Sequence, residues 1–166
     1  IAVVLLLAVT LMIMAASNLT QNNLKVVKNM ESREQVRYAA IAAIEEAISS
    51  NRFTSSPGNI VTVSCGVNNQ RCYDADGDGD ATTDGTDITV LVDPPECVMV
   101  SPLKNNELRP YQYPQEATCY LPLAVFSLCA DSVWEFRAVG TDAVTGAEVE
   151  VRQGVSITTT ISKVDT

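Results

Sequence analysis

Ile1-Ala-Val-Val-Leu-Leu-Leu-Ala-Val-Thr-Leu-Met-Ile-Met-Ala-Ala16 is almost pure hydrocarbon, and no turn signal follows it. The first Gly or Pro of the chain is Pro57, so the sequence reads as one helix over residues 1–53. At about 1.5 Å per residue that helix is roughly 80 Å long. A chain of 166 residues cannot cover such a rod with its own remainder. Its apolar end has to be buried in something else, either a membrane or other copies of the chain.

Two halves of the helix differ in character. Residues 1–16 are apolar except for Thr10, whose hydroxyl can bond back to a helix carbonyl. Sixteen residues fall short of the ~20 that span a bilayer. With no initiator Met and no basic segment ahead of it, this end reads as a processed N-terminus. A signal-peptide core would end at a small-residue cleavage site and a change of structure, whereas here the helical pattern runs on. Ser17, Asn18, Thr20, Gln21, Asn22 and Asn23 compete with the backbone for hydrogen bonds, so unwinding of the helix is expected there if anywhere. Leu24, Val27, Met30, Ile41, Ile44 and Ile48 then recur at helical spacing among Ala39, Ala40, Ala42, Ala43 and Ala47. Ser49 to Asn51 and Ser55 to Asn59 close the helix.

Beyond residue 57 the pattern changes to that of a β-rich head. Ile60–Cys65, Ile88–Val92, Cys97–Val100 and Val133–Val139 alternate and read as strands, as does Ala147–Arg152 continuing towards Ile161. Asp93–Glu96 and Gly140–Gly146 read as turns, and residues 101–118, with Pro102, Pro110 and Pro114, as an irregular surface loop. Leu121–Cys129 fits a short strand or a short helix. The fold class is therefore α+β: a long N-terminal helical stem (1–53) packed on a small antiparallel sheet (54–166).

Charge separates the two parts. The chain carries −9 in all, while residues 1–57 hold five cations against four acids, so the head is strongly acidic. Such a head repels nucleic acid and anionic lipid. There is no His, which removes the commonest general base and the usual nitrogen ligand of zinc. With no nucleophile–base pair and no phosphate-cradling glycine loop, the chain does not read as an enzyme. Cys65, Cys72, Cys97, Cys119 and Cys129 all lie in the head, none in a CxxC pair. They fit disulfides in an oxidising compartment, with one thiol left over. Cys65–Cys72 closes a short loop, and the second bridge is either Cys97–Cys119 or Cys119–Cys129.

The sharpest local motif is Asp74-Ala-Asp76-Gly-Asp78-Gly79-Asp80, followed by Asp84 and Asp87. Carboxylates at alternate positions converge when such a loop curls, and Gly at the sixth position permits the turn. This is the first half of a calcium loop. The twelfth position is Gly85 in place of Glu, so a helix–loop–helix EF-hand is not expected and Asp84 or Asp87 would have to close the shell. Calcium suits this density of carboxylates better than magnesium. The plainer reading is a solvated acidic turn. Trp134 reads as sheet packing, not as a binding platform.

An apolar-then-amphipathic helix followed by a disulfide-bearing antiparallel sheet resembles the type IV pilin architecture, and within it the PilX-like group. The residues that carry the likeness are Val3 to Leu7, Ala15-Ala16-Ser17, Leu19-Thr20-Gln21 and Ala39 to Ala47, with Trp134-Glu-Phe-Arg-Ala-Val-Gly140-Thr and Val149-Glu-Val-Arg-Gln closing the head. It covers residues 1–53 well and 132–153 in part. The resemblance implies a subunit of an extracellular, adhesive pilus, held in the inner membrane before assembly and handled by pilus assembly machinery, with a methylated N-terminus. Its partners would be copies of itself, through Val4, Leu5, Leu7, Leu11, Ile13, Leu24 and Val27. Two features depart from the common pattern. Most major pilins have Glu as the fifth mature residue where this chain has Leu5, a trait of PilX-like members, and the helix-breaking Gly and Pro of many stems are missing. Alternatives are a low-copy minor pilin or secretion pseudopilin, and a membrane-anchored monomer whose head binds an ion or ligand.

Overall fold

A computed structural model describes residues 2–50, 52–63, 65–82 and 85–161; Asp84 and the side chains of Val4 and Asn18 lie outside the described residues. The helix α1 runs Ala2–Ser49 as one unit of 48 residues. It passes without interruption through Ser17–Asn23, the stretch where unwinding was expected if anywhere. The hydroxyls follow the helix instead of breaking it: Thr10 donates to the Leu7 carbonyl and Thr20 to the Ala16 carbonyl.

All described side chains up to Glu31 are exposed, and burial begins at Ser32. From there Val36, Ala39, Ala40, Ala43, Ile44 and Ala47 are buried, a spacing of three and four that puts one face of the helix on the sheet. The small alanines let the helix axis come close. Val36 packs straight onto Gly140, where any Cβ would stand 2.7 Å from Val36 Cγ1.

The sheet is antiparallel and has five strands: β1 Gln70–Tyr73, β2 Ile88–Val92, β3 Glu96–Lys104, β4 Phe126–Asp142 and β5 Glu148–Thr160. Its organiser is β4, at 17 residues. One edge of β4 pairs with β5 from Cys129 to Thr141. Its other edge takes β2 (opposite Ala138–Asp142) and β3 (opposite Phe126–Glu135) end to end. Between them Pro94 and Pro95 cannot donate to the ladder, which explains the break. β1 lies outside β2. The Asp93–Glu96 turn is therefore a kink in one long track, and Gly140 lies within β4, not in the connection after it.

Helix and β4 run antiparallel. Ser32 meets Asp142, Val36 meets Gly140, and Phe53 meets Trp134 and Phe136 edge-on at 5.6 and 5.2 Å. The helix thus covers β4 only from Asp142 to about Trp134. The eight residues Phe126–Val133 carry the sheet onward, away from the stem, with the loop of residues 105–125 beside them. Trp134 is buried, its indole N–H donating to Ser132 Oγ, as its reading as packing requires.

Ile60–Val63 is not a strand, and Cys65 belongs to none. Ile60 and Val61 are both buried side by side, so the stretch does not alternate. Asn69, at φ 63°, accepts the Ile60 N–H through its side chain and folds the segment into a loop. The strand in this region is β1, which the polar Gln70-Arg71 pair disguised. β3 also extends through Pro102 to Lys104, residues expected in the irregular loop. The undecided Leu121–Cys129 segment divides: residues 121–125 are loop and Phe126–Cys129 is the start of β4.

Candidate functional site

The acidic loop sits at the end of the head where the stem leaves it. Asp74, Asp76 and Asp78 come together, each offering an oxygen within 4.8 Å of the others, and all three are exposed. The donors are all carboxylate oxygens, the type that hard cations take. Asp74 Oδ1 and Oδ2 accept the Gly77 and Gly79 N–H groups, Asp76 accepts from Asp78, and Asp78 accepts from Asp80. Gly77 and Gly79 have φ of 83° and 87°, a left-handed backbone that lets successive carboxylates face one point. The N–H donors of Gly77 and Gly79 hold the Asp74 carboxyl below its ordinary range.

Asp80 is not one of the three clustered carboxylates. Asp87 has a different position altogether. It is buried, its two oxygens accepting the N–H groups of Ala75 and Thr82, so it pins both ends of the loop from inside. The expectation that Asp87 faces the ion therefore does not match its placement.

A second acid holds the neck. Asp142 Oδ2 accepts the hydroxyls of Ser32 and Thr145, and Oδ1 accepts the Val144 N–H at 2.8 Å. Burial pushes the Asp142 carboxyl up, but these donors outweigh it and hold it below the ordinary range. A cleft of about 250 Å³ joins this knot to the acidic loop through Lys28, Gln35 and Asp76. Sequence reading missed the knot because Ser32 and Asp142 are 110 residues apart and neither belongs to a motif.

Two disulfides are present, Cys65–Cys72 and Cys119–Cys129, with Cα separations of 5.9 and 5.2 Å. Cys97 is free and half-buried on β3. The first bridge closes the loop ahead of β1, and the second ties the distal loop to β4.

The outer face of the sheet is a ladder of alternating charge. Arg137 pairs with Asp93 and Glu150, and Arg152 with Glu150 and Glu135. Hydrogen bonds from Arg137 and Arg152 bring the Glu150 carboxyl down to about 2. Because these groups compensate one another, the ladder is an internally paired, solvated face.

The stem residues expected to pack are well exposed in the single chain. Leu5, Leu7, Leu11, Ile13, Leu24 and Val27 are 58–63% exposed. Among the described residues, no helix is long and apolar enough to cross a membrane. The chain matches no protein-family model, no curated protein and no solved structure.

Proposed function

We propose that this protein is a structural subunit of an extracellular, type IV pilus-like filament, assembled through its N-terminal helix. One observation carries the reading: the helix continues about 45 Å beyond its last head contact, with leucine, valine, isoleucine and methionine exposed on every side. A helix that is apolar all round is stable only when surrounded. A bundle of identical stems surrounds it. Lipid tails are as apolar as leucine, so leaving the inner membrane for such a bundle is driven by packing and by the assembly machinery, not by hydrophobicity alone. In this reading Val26, Val27 and Met30, exposed beyond the first apolar run, meet neighbouring stems, which a lone membrane anchor would not need.

Calcium, held by Asp74, Asp76 and Asp78, is the ion this reading assigns to the acidic loop. It would neutralise three close carboxylates and stiffen the head at the neck. Terbium luminescence of the full chain tests it: Asp76→Asn should abolish saturable binding, and binding that survives this change would sink the assignment.

A second reading, a low-copy minor pilin or secretion pseudopilin, is favoured by one fact: residues 1–30 hold no acid, so none of them offers a carboxylate to a neighbour's amine. Electron microscopy of filaments sheared from producing cells, with mass spectrometry of the purified fibre, separates the two. If the chain is the main component, the bulk-filament reading holds. If it is trace, the minor-subunit reading takes over, and if it is absent the filament reading fails.

A further inference from the structure

The loop between β3 and β4 is built more carefully than the fold requires. None of the described side chains of residues 105–125 apart from the bridged Cys119 is buried, and none of them joins the hydrophobic core cluster. Yet the loop is firmly tied. The Asn105 side chain donates to the carbonyls of Leu121 and Ala124 and accepts the Leu121 N–H. Glu116 accepts the Arg109 N–H, the Arg109 carbonyl accepts from Gln112 and Tyr113, and Cys119–Cys129 anchors the far end. A preorganised segment with no role in the core has its use on its surface.

That surface holds a cavity of about 690 Å³, within the ~300–1,000 Å³ usual for small-molecule sites. Leu108, Pro110 and Ala117 give it apolar walls, and Tyr111 and Tyr120 stand at it, both well exposed. Its polar members are Arg109 and Gln112, besides the committed Asn105. Neither side chain has a partner among the described residues. One cation and no acid line this cavity, in a chain with 20 acids against 11 bases. The Glu116 carboxylate next to this lining is occupied by the Arg109 N–H, which leaves the Arg109 guanidinium as the charged group that lines the cavity, and its complement is an anion. Tyrosine faces suit the C–H side of a sugar ring, while Arg and Gln suit a carboxylate and hydroxyls.

We propose that this distal lobe binds an acidic carbohydrate, a sugar ring bearing a carboxylate. The site lies at the end of the head remote from the stem. It does not depend on polymerisation, so a chain that never forms filaments would still bind.

The test uses the full chain in detergent micelles, with binding read by saturation-transfer NMR and calorimetry. The probes are galacturonate against galactose and glucuronate against glucose, pairs differing only at one carbon, with benzoate as an aromatic acid lacking the sugar ring. The uronates should bind about tenfold more tightly than the neutral sugars. Arg109→Gln should remove that preference, and Tyr111→Ala should weaken both sugars of a pair, with circular dichroism unchanged in each variant. Equal binding of acid and neutral sugars, uronate binding untouched by Arg109→Gln, benzoate binding more tightly than the uronates, or no saturable binding of any probe would each overturn the proposal.

Discussion

Val36 stands directly over Gly140, its Cγ1 2.7 Å and its carbonyl oxygen 3.2 Å from where a Cβ would be. The missing side chain is what lets the helix lie on the middle strand. Gly140→Ala should destabilise the head by about 1–3 kcal/mol through overpacking. Adding Val36→Ala should recover part of the loss, because the side-chain clash goes and the carbonyl contact stays. Denaturant melts of the single and double variants measure this, and a Gly140→Ala variant as stable as the parent would show that the helix does not approach so closely.

Asp142 ties the neck through Ser32 and Thr145, and its carboxyl sits below the ordinary range. A depressed folded value means stability that is present above the unfolded value, about 3.9, and lost as pH falls through the folded one. Acid melts should therefore steepen below about pH 4. Asp142→Asn should lose about 1–3 kcal/mol at neutral pH and show a shallower acid limb. Ser32→Ala should lose less, since Thr145 and the backbone donors remain. An unchanged acid limb in Asp142→Asn would remove Asp142 from this role.

The helix and the hairpin at the end of the chain were legible because each is periodic over many residues: the small and apolar positions from Ala39 to Ile48, and the alternation from Val133 to Arg152; Val36, which packs on Gly140, was not among the positions read. The clustering of Asp74, Asp76 and Asp78 was legible because their spacing is local. Other features depend on contacts distant in sequence. Ile60–Val63 has the β-branched composition of a strand, but a side-chain bond from Asn69 turns it into a loop. Asp87 looked like one more ligand in a run of acids, and only the bonds from Ala75 and Thr82 reveal its inward position. Helix propensity underestimated Ser17–Asn23, where hydroxyls can bond back along the helix at little cost.

Cysteine chemistry gives a direct check on the two loops. With the chain unfolded but not reduced, alkylation should label only Cys97, and prior reduction should expose all five thiols. Peptide mapping should recover Cys65 joined to Cys72 and Cys119 joined to Cys129. A native bridge contributes typically ~2–4 kcal/mol, but the distal loop lies outside the core. Cys119→Ser with Cys129→Ser should therefore speed proteolysis between Asn105 and Val125 far more than it lowers the melting temperature of the head. A large drop in that temperature would mean that the loop supports the core after all.

The stem and the head make opposite demands on their apolar residues, and substitutions can separate them. Ile44 is fully buried against the sheet, so Ile44→Ala should cost the head about 2–5 kcal/mol. Leu7 and Leu11 are well exposed and touch nothing in the core. Leu7→Lys or Leu11→Lys should leave the head's melt and the Trp134 emission unchanged while abolishing filaments in the sheared fraction, because a lysine inside a bundle of stems leaves an unpaired buried charge. The conservative Leu11→Met should assemble normally, since it keeps the volume and the apolar surface. Lysine variants that still polymerise would place the apolar end outside the filament interior. Parent chain recovered only with the membrane, and never in sheared filaments, would instead make the membrane-anchored monomer the better account of the exposed stem.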